Sequence, residues 1–172
     1  MSKQRPVDPF PYLQAAAAAL ARPGQPAAAF EALDRALGAV LGHTLFTLLR
    51  YHADTGESER LHTNQPAAYP VGGRKALNPT PWSEQVLRDH KPYLGRTPAD
   101  IRAVFFDHAL IASLGCGSVL NLPVVYDGRT LGTVNLLHEA GWYDEGDIPV
   151  GLAFAALAVP GYLGATAGGS GR

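Results

Sequence analysis

The chain has 172 residues, 47% of them apolar, and its 14 Lys and Arg against 15 Asp and Glu leave a net charge of −1. This composition excludes a disordered chain and predicts one domain with a sizeable core. The near balance of charge argues against a nucleic-acid surface, which needs a basic excess. One cysteine excludes an internal disulfide and a multi-thiolate metal site, and the scattered histidines argue against any other metal site.

The first residues, MSKQRPVDPF, lack the apolar core of a signal peptide. The most apolar run extends from Val150 to Leu163. It is shorter than the roughly 20 residues that a bilayer span needs. We therefore expect a soluble, cytoplasmic protein without a membrane partner.

The N-terminal part predicts two helices of different character. The segment PYLQAAAAALAR is helical by propensity but offers little apolar area, so residues 1–25 are predicted to form a helical extension. The second helix is predicted from Pro26, which suits a first helical turn, to Leu41. Its apolar residues recur on one stripe, which indicates packing on a sheet. They are Phe30, Leu33, Leu37, Val40 and Leu41.

Two strands are predicted next, over TLFTLLRYH and SERLHTN, joined by the turn sequence Asp54-Thr55-Gly56-Glu57. Residues 65–81 are rich in Pro, Gly and Asn and predict an irregular connection with one short strand. Short helices are expected from Pro81 to about His90 and again from Thr97, with a short extended piece between them. Long loops over a sheet often carry binding groups.

The next two strands are predicted to form a hairpin around Asp127-Gly128. Asp-Gly between apolar runs is a strong hairpin signal, because Gly accepts the positive φ of a type I′ turn. A two-residue turn pairs Tyr126 with Arg129 and Pro123 with Gly132. A proline ring opposite a residue without a side chain is sterically sensible, which supports this register.

This register divides the polar residues of the hairpin between two faces. Ser118 and Asn135 lie on one face, and Asn121 and His138 lie on the other. Both faces are largely apolar, so the hairpin is predicted to be covered on both sides. Only one face can meet a ligand, and we favour that of Asn135 and Thr133, because Gly132 and Pro123 suit the other face to close packing.

The last helix is predicted to begin after the acidic run 144–147, whose charges suit a helix N-terminus, and to continue to about Leu163 with a kink or break at Pro160. No charged residue occurs between Val150 and Leu163. A helix with so little polar surface should be buried, and a second copy of the chain would bury it. Residues 165–172 are predicted to be a disordered tail.

Three segments resemble a GAF domain: GSVLNLPV at 117–124, LGTVNL at 131–136 after Gly128, and YDEGD at 143–147. The resemblance implies an α+β, PAS-related fold for residues 26–164, with a central antiparallel sheet of five or six strands. It places the terminal helices on one face and the loop-rich segment with short helices on the other. Small molecules bind GAF domains between the sheet and that segment, and many GAF domains dimerise through their terminal helices.

The resemblance and the polar pattern together give a set of candidate pocket residues. Each also has a structural interpretation: the aromatic residues as packing, Asp107 as a cap, and a buried amide as a structural hydrogen bonder, because an unpaired one is costly. The candidates are Tyr51, Trp82, Phe106, Asp107, His108, Ser118, Thr133 and Asn135.

We expect a free-standing small-molecule sensor that acts through a homodimer or a partner, with no cofactor assigned. The alternative is an enzyme with Cys116 or His108 as its reactive group, and a third possibility is an interaction module with a filled pocket. GAF-fold reductases of free methionine-R-sulfoxide use several cysteines, so one cysteine argues against that activity. The Asn-Lys-Phe-Asp-Glu set of cyclic-nucleotide GAF domains is absent, and Asp100-Ile101-Arg102 lacks the Pro of the bilin motif.

Overall fold

Six antiparallel strands form the centre of the molecule, in the spatial order β3-β2-β1-β6-β5-β4. The computed structural model describes residues 6–167. The strands are β1 Leu45–His52, β2 Glu57–Thr63, β3 Gly72–Ala76, β4 Tyr93–Gly95, β5 Ser118–Tyr126 and β6 Arg129–His138. The helices are α1 Phe10–Ala19, α2 Ala27–Val40, α3 Pro81–Ser83, α4 Pro98–Val104, α5 His108–Ser113 and α6 Asp147–Ala167, with a π-helix at Glu84–Arg88. The predicted α+β fold is confirmed.

One face of the sheet, which we call the helix side, is covered by α1, α2 and α6. The apolar stripe of α2 packs there against Phe46, Leu122 and Leu136, which are fully buried. The Ala-rich α1 buries Ala16 and Ala19 in the contact with its neighbouring helices. The prediction that the first and last helices share one face is therefore confirmed.

The opposite face, which we call the loop side, is covered by the segment between β2 and β5. A second, smaller core lies there, in which Tyr69, Ile101 and Ile111 pack against Val119 and Leu137. The loop-rich middle of the chain thus covers the sheet as expected. Among its short helices, α4 and α5 each contribute one buried side chain and the π-helix contributes two.

The last helix differs from its predicted form. It runs for 21 residues without a break at Pro160, and its Ala165–Ala167 end occupies the start of the predicted tail, whose remaining residues lie outside the described part. By length and composition alone this helix could cross a membrane. Phe154 and Tyr162, however, are buried against the sheet, and the Tyr162 hydroxyl donates to the Thr133 carbonyl at 2.9 Å. The helix is thus part of the core.

The predicted hairpin register is correct at the turn and wrong beyond it. Tyr126 faces Arg129, but a β-bulge at Leu131 shifts the pairing, so that Gly132 faces Val124 and not Pro123. A methyl group on Gly132 would lie 1.9 Å from the Leu49 carbonyl oxygen. A residue without a side chain is therefore required at position 132, because β1 approaches closely there. The bulge places Gly132 at that position.

A carboxylate ties α2 to the sheet on the helix side. Asp34 lies 3.0 Å from His43 Nε2 and 2.8 Å from His62 Nε2, and the side chains of all three are largely buried. Burial raises the pKa of Asp34, but the hydrogen bonds and positive charges of the two imidazoles outweigh it and lower that pKa to about 2.

This pair of contacts predicts acid sensitivity. A carboxyl whose pKa falls on folding stabilises the protein above its unfolded pKa, and that stability is lost as the pH falls through the folded value. We expect a loss of about 1 to 2 kcal/mol between pH 4 and pH 2, after allowance for the partial exposure of Asp34. Urea unfolding at several pH values measures it. Asp34→Asn should flatten this part of the profile, and an unchanged profile would contradict the assignment.

Candidate functional site

Two buried amides form the centre of the candidate site on the loop side of the sheet. Asn121 and Asn135 face each other across β5 and β6, and Asn121 Nδ2 donates to Asn135 Oδ1 at 2.7 Å. Asn135 Nδ2 in turn donates to the Thr47 hydroxyl on β1 at 3.2 Å. The three side chains are 2%, 4% and 6% exposed. We call this connected set the amide relay. Because the bulge moves Asn121 to the face of Asn135, the predicted separation of the two amides is wrong.

Trp82 joins the amide relay from the loop segment. Its indole Nε1 donates to Asn121 Oδ1 at 3.0 Å, and its ring meets the edge of Phe105 with centroids 6.0 Å apart. Thr80 caps the short helix α3 reciprocally with Ser83 and so fixes the start of the turn that carries Trp82. Trp82 and Asn135, both candidate residues, are therefore brought together.

A cleft of about 330 Å³ opens on the same side of the sheet, next to α3. Tyr51 lies on the same face of β1 as Thr47, four residues further along, and contributes one wall. The cleft is lined by Tyr51, Leu77, Pro79, Ser83, Glu84, Leu87 and Arg88.

The cleft carries charge of both signs at its rim. Arg88 Nη1 lies 3.4 Å from Glu84 Oε1, and both side chains are more than half exposed. The π-helix that holds them is anchored from beneath, where Thr130 Oγ1 donates to the Leu87 carbonyl at 2.6 Å. A wide helical turn of this kind often occurs at functional sites.

Asp107 has a structural partner. It accepts a hydrogen bond from the Tyr69 hydroxyl at 2.6 Å and makes no side-chain cap to α5. Burial and the Asp107 carboxylate both raise the pKa of Tyr69, so this hydroxyl stays protonated. The guanidinium of Arg60 lies 4.9 Å from the Tyr69 ring centroid. These contacts close the loop segment over the sheet beside the second core.

His108 and Cys116 meet at a small cavity of about 70 Å³ beneath α4 and α5. The Cys116 thiol is buried, and burial raises its pKa to about 11. A thiol with such a pKa is almost entirely protonated at neutral pH, whereas the thiolate is the nucleophile. The arrangement does not suit nucleophilic catalysis by Cys116.

Of the remaining candidate residues, Phe106 and Ser118 lie away from the cleft and the amide relay. Phe106 is 86% exposed, because Phe105 takes the inward position at the end of α4 and the next side chain points to solvent. Ser118 lies on the helix side, paired with His138, and donates to the Glu139 carbonyl at 2.8 Å. Both placements correct the prediction. Thr133 is buried on the face of Asn135, as expected.

Several site residues were missed by the sequence reasoning. Asn121, Thr47 and Phe105 belong to the group around Trp82, and the cleft is largely lined by residues 77–88. A glycine within a strand often marks a bulge, and Gly132 was the signal that could have placed Asn121 correctly. Within the described range, no three His, Cys, Asp or Glu side chains are placed to hold a metal ion.

Searches for related proteins found structural likeness without sequence likeness. No family model and no curated protein matches the chain. The GAF domain of a phosphoenolpyruvate-protein phosphotransferase from Coxiella burnetii has a TM-score of 0.73 at 16% identity, covering 94% of this chain and 96% of that chain.

Two further structures extend the likeness. The corresponding GAF domain from Acinetobacter has a TM-score of 0.72 at 10% identity, and the match covers 100% of this chain and 99% of that chain. A free methionine-R-sulfoxide reductase from Neisseria meningitidis, solved with its substrate, has a TM-score of 0.65 at 12% identity. The match covers 98% of this chain and 96% of that chain. With the strand order and the two covered faces described above, these matches show that the chain has the fold of a GAF domain.

Proposed function

We propose that the chain is a sensory or regulatory domain that binds a small organic molecule on the loop side of its sheet. The observation that carries this proposal is the cleft of about 330 Å³ between β1 and the loop segment, with Tyr51 in its wall. Its volume is at the lower end of the range for small-molecule sites, and its walls combine apolar side chains with a few polar groups, as such sites do. The Neisseria reductase of similar fold was solved with its small-molecule substrate.

The proposal predicts that metabolites stabilise the protein. Thermal unfolding is measured with a panel of amino acids, nucleobases, nucleotides and organic acids. A ligand at about 100 times its Kd contributes about 2.7 kcal/mol of stability, which raises Tm by several degrees. Pro79→Trp places bulk in the cleft and should abolish the shift.

Asn78→Trp is the matched control for this experiment. It adds the same side chain at an exposed neighbouring position that does not line the cleft, so it should retain the shift. If no compound in the panel raises Tm, or if both tryptophan variants respond as the wild type does, the cleft is not the binding site.

We also propose that binding is reported through a homodimer formed by α1 and α6, in the cytoplasm. Support comes from exposed apolar side chains on these helices: Phe10 is 66%, Leu152 36% and Leu163 40% exposed. Burying such surface between two copies is favourable. Sedimentation equilibrium should give a dimer for the wild type and a monomer for Leu152→Glu/Leu163→Glu. A monomeric wild-type protein at micromolar concentration would contradict the proposed homodimer.

A further inference from the structure

One wall of the cleft is formed by two pairs of residues that are four positions apart. The hydrogen bonds of a π-helix join residues i and i+5, so its turn is wider than that of an α-helix and residues four apart lie on one side of it. Ser83 and Leu87 are one such pair, and Glu84 and Arg88 are the other. Thr130 of β6 holds the Leu87 carbonyl, so this turn is fixed to the sheet. The wall therefore presents opposite charges beside an apolar side chain.

The two charged groups of this wall have capacity for further partners. Arg88 Nη1 and Glu84 Oε1 are 3.4 Å apart, which exceeds the length of about 2.9 Å that is typical of an N–H···O bond. A guanidinium has several N–H donors, and Arg88 directs its Nε–H to Asp89 at 3.0 Å. The Arg88 side chain is 66% exposed and that of Glu84 57%. A molecule in the cleft can therefore contact both groups while every side chain keeps its position.

The balance of charge favours a ligand that carries both signs. A simple anion is attracted by Arg88 but repelled by Glu84, and the Asp89 carboxylate beside Arg88 adds to the repulsion. A simple cation is attracted by Glu84 but repelled by Arg88. A ligand with adjacent ammonium and carboxylate groups can place each of them against the opposite charge. Exposed charges add little to affinity, so this pair determines mainly which ligands are accepted.

The remainder of the cleft suits an apolar body. Leu77 and Pro79 line it from the segment after β3. Tyr51 lines it from β1, and Leu87 lines it from the π-helix. Covering apolar surface of this kind supplies binding free energy, and a volume of about 330 Å³ limits the ligand to a small molecule.

We propose that the cleft binds a free α-amino acid with an apolar side chain. Its carboxylate binds Arg88, its ammonium binds Glu84, and its side chain lies against the apolar lining. One carbon carries both charged groups of such a molecule, which matches the close spacing of Glu84 and Arg88. This inference rests on the proposed function, since it names the ligand class of the same cleft.

Three probes with the same apolar body test this assignment. L-Leucine carries both charges, leucinamide carries only the ammonium, and 4-methylpentanoate carries only the carboxylate. Each is titrated into the wild-type protein at neutral pH by isothermal calorimetry. L-Leucine should bind at least about tenfold more tightly than either analogue, because each analogue leaves one charged group of the wall without a partner. L-Methionine and L-phenylalanine are titrated as well, to cover other apolar side-chain shapes.

Two neutral substitutions assign the two charges. Glu84→Gln should remove the preference for L-leucine over 4-methylpentanoate and keep the preference over leucinamide. Arg88→Gln should do the reverse. The matched control is the ion pair of Arg96 with Glu145, which is exposed and does not line the cleft. Arg96→Gln and Glu145→Gln should leave all three affinities unchanged, and circular dichroism checks that each variant is folded.

Equal binding of L-leucine and either analogue, unchanged preferences in both cleft variants, or no binding of any of the three amino acids would overturn the inference. Its failure is distinguishable from failure of the proposed function. If a nucleobase, a nucleotide or an organic acid stabilises the wild type and Pro79→Trp abolishes that effect, the cleft binds a ligand of another class, and only the amino acid assignment is wrong. If L-leucine binds Pro79→Trp as tightly as the wild type, it binds outside the cleft, which overturns the inference and removes this support for the cleft as the binding site.

Discussion

Gly132→Ala should destabilise the protein by at least about 3 kcal/mol, the largest effect that we expect from adding one methyl group. The new Cβ would lie 1.9 Å from the Leu49 carbonyl oxygen and 2.6 Å from the Tyr162 ring. Real Cβ atoms never approach backbone oxygen so closely, so β1 and β6 would have to separate at the centre of the sheet. Overpacking of a rigid interior commonly costs about 1–3 kcal/mol, and here the obstacle is backbone, which cannot rotate away.

The measurement is urea unfolding followed by circular dichroism, with Gly164→Ala as the control. Gly164 lies in α6, and a methyl group there would meet nothing within 4 Å. That substitution should raise the free energy of unfolding by about 0.5–1 kcal/mol, because alanine favours a helix over glycine. A loss below about 1 kcal/mol for Gly132→Ala would show that β1 does not approach β6 as described.

Asn135→Ala should cost about 3 kcal/mol, although it removes only a small side chain. The substitution leaves the Asn121 amide nitrogen and the Thr47 hydroxyl without their partner in a buried place. Each unsatisfied buried group costs about 1–3 kcal/mol. Urea unfolding at constant pH, with the slope m compared between variants, gives the change in the free energy of unfolding.

A double-mutant cycle tests whether the amides act together. Asn121→Ala and Asn135→Ala should be non-additive, because once one amide is absent the other has already lost its partner. We expect the double variant to be more stable than the sum of the single losses predicts, by at least about 1 kcal/mol, within the range for directly contacting residues. Strict additivity would mean that the two amides are stabilised independently.

The sequence was sufficient for the architecture. The apolar stripe of α2 and the Asp-Gly turn each predicted an element within one or two residues of its observed bounds. These signals are local, and the physics behind them is local as well. In the middle segment the predicted helix starts at Pro81 and Thr97 agree with the observed ones to within one residue. The division into separate helices, such as α4 and α5, was not predicted, because three to seven residues carry too little periodicity.

The candidate site was predicted less well, because its residues meet through long-range pairing. A one-residue shift of a strand moves every side chain beyond it to the other face. The bulge at Leu131 does this to Asn121, and nothing in the turn indicates it. Phe105 and Phe106 could not be told apart for a similar reason: the end of α4 decides which ring points inward.

The amide relay also bears on how the hairpin finds its pairing. The regular hairpin and the bulged one share the same turn and the same Tyr126–Arg129 pair, so the turn cannot discriminate between them. In the regular pairing Asn121 would face the apolar helices and lose Asn135, at a cost of about 1–3 kcal/mol for each buried amide. The choice between two otherwise similar hairpins is thus made far from the turn, by contacts that exist only once β1 and Trp82 are in place. The alignment of β5 with β6 is therefore selected by the assembled sheet and not by the hairpin alone.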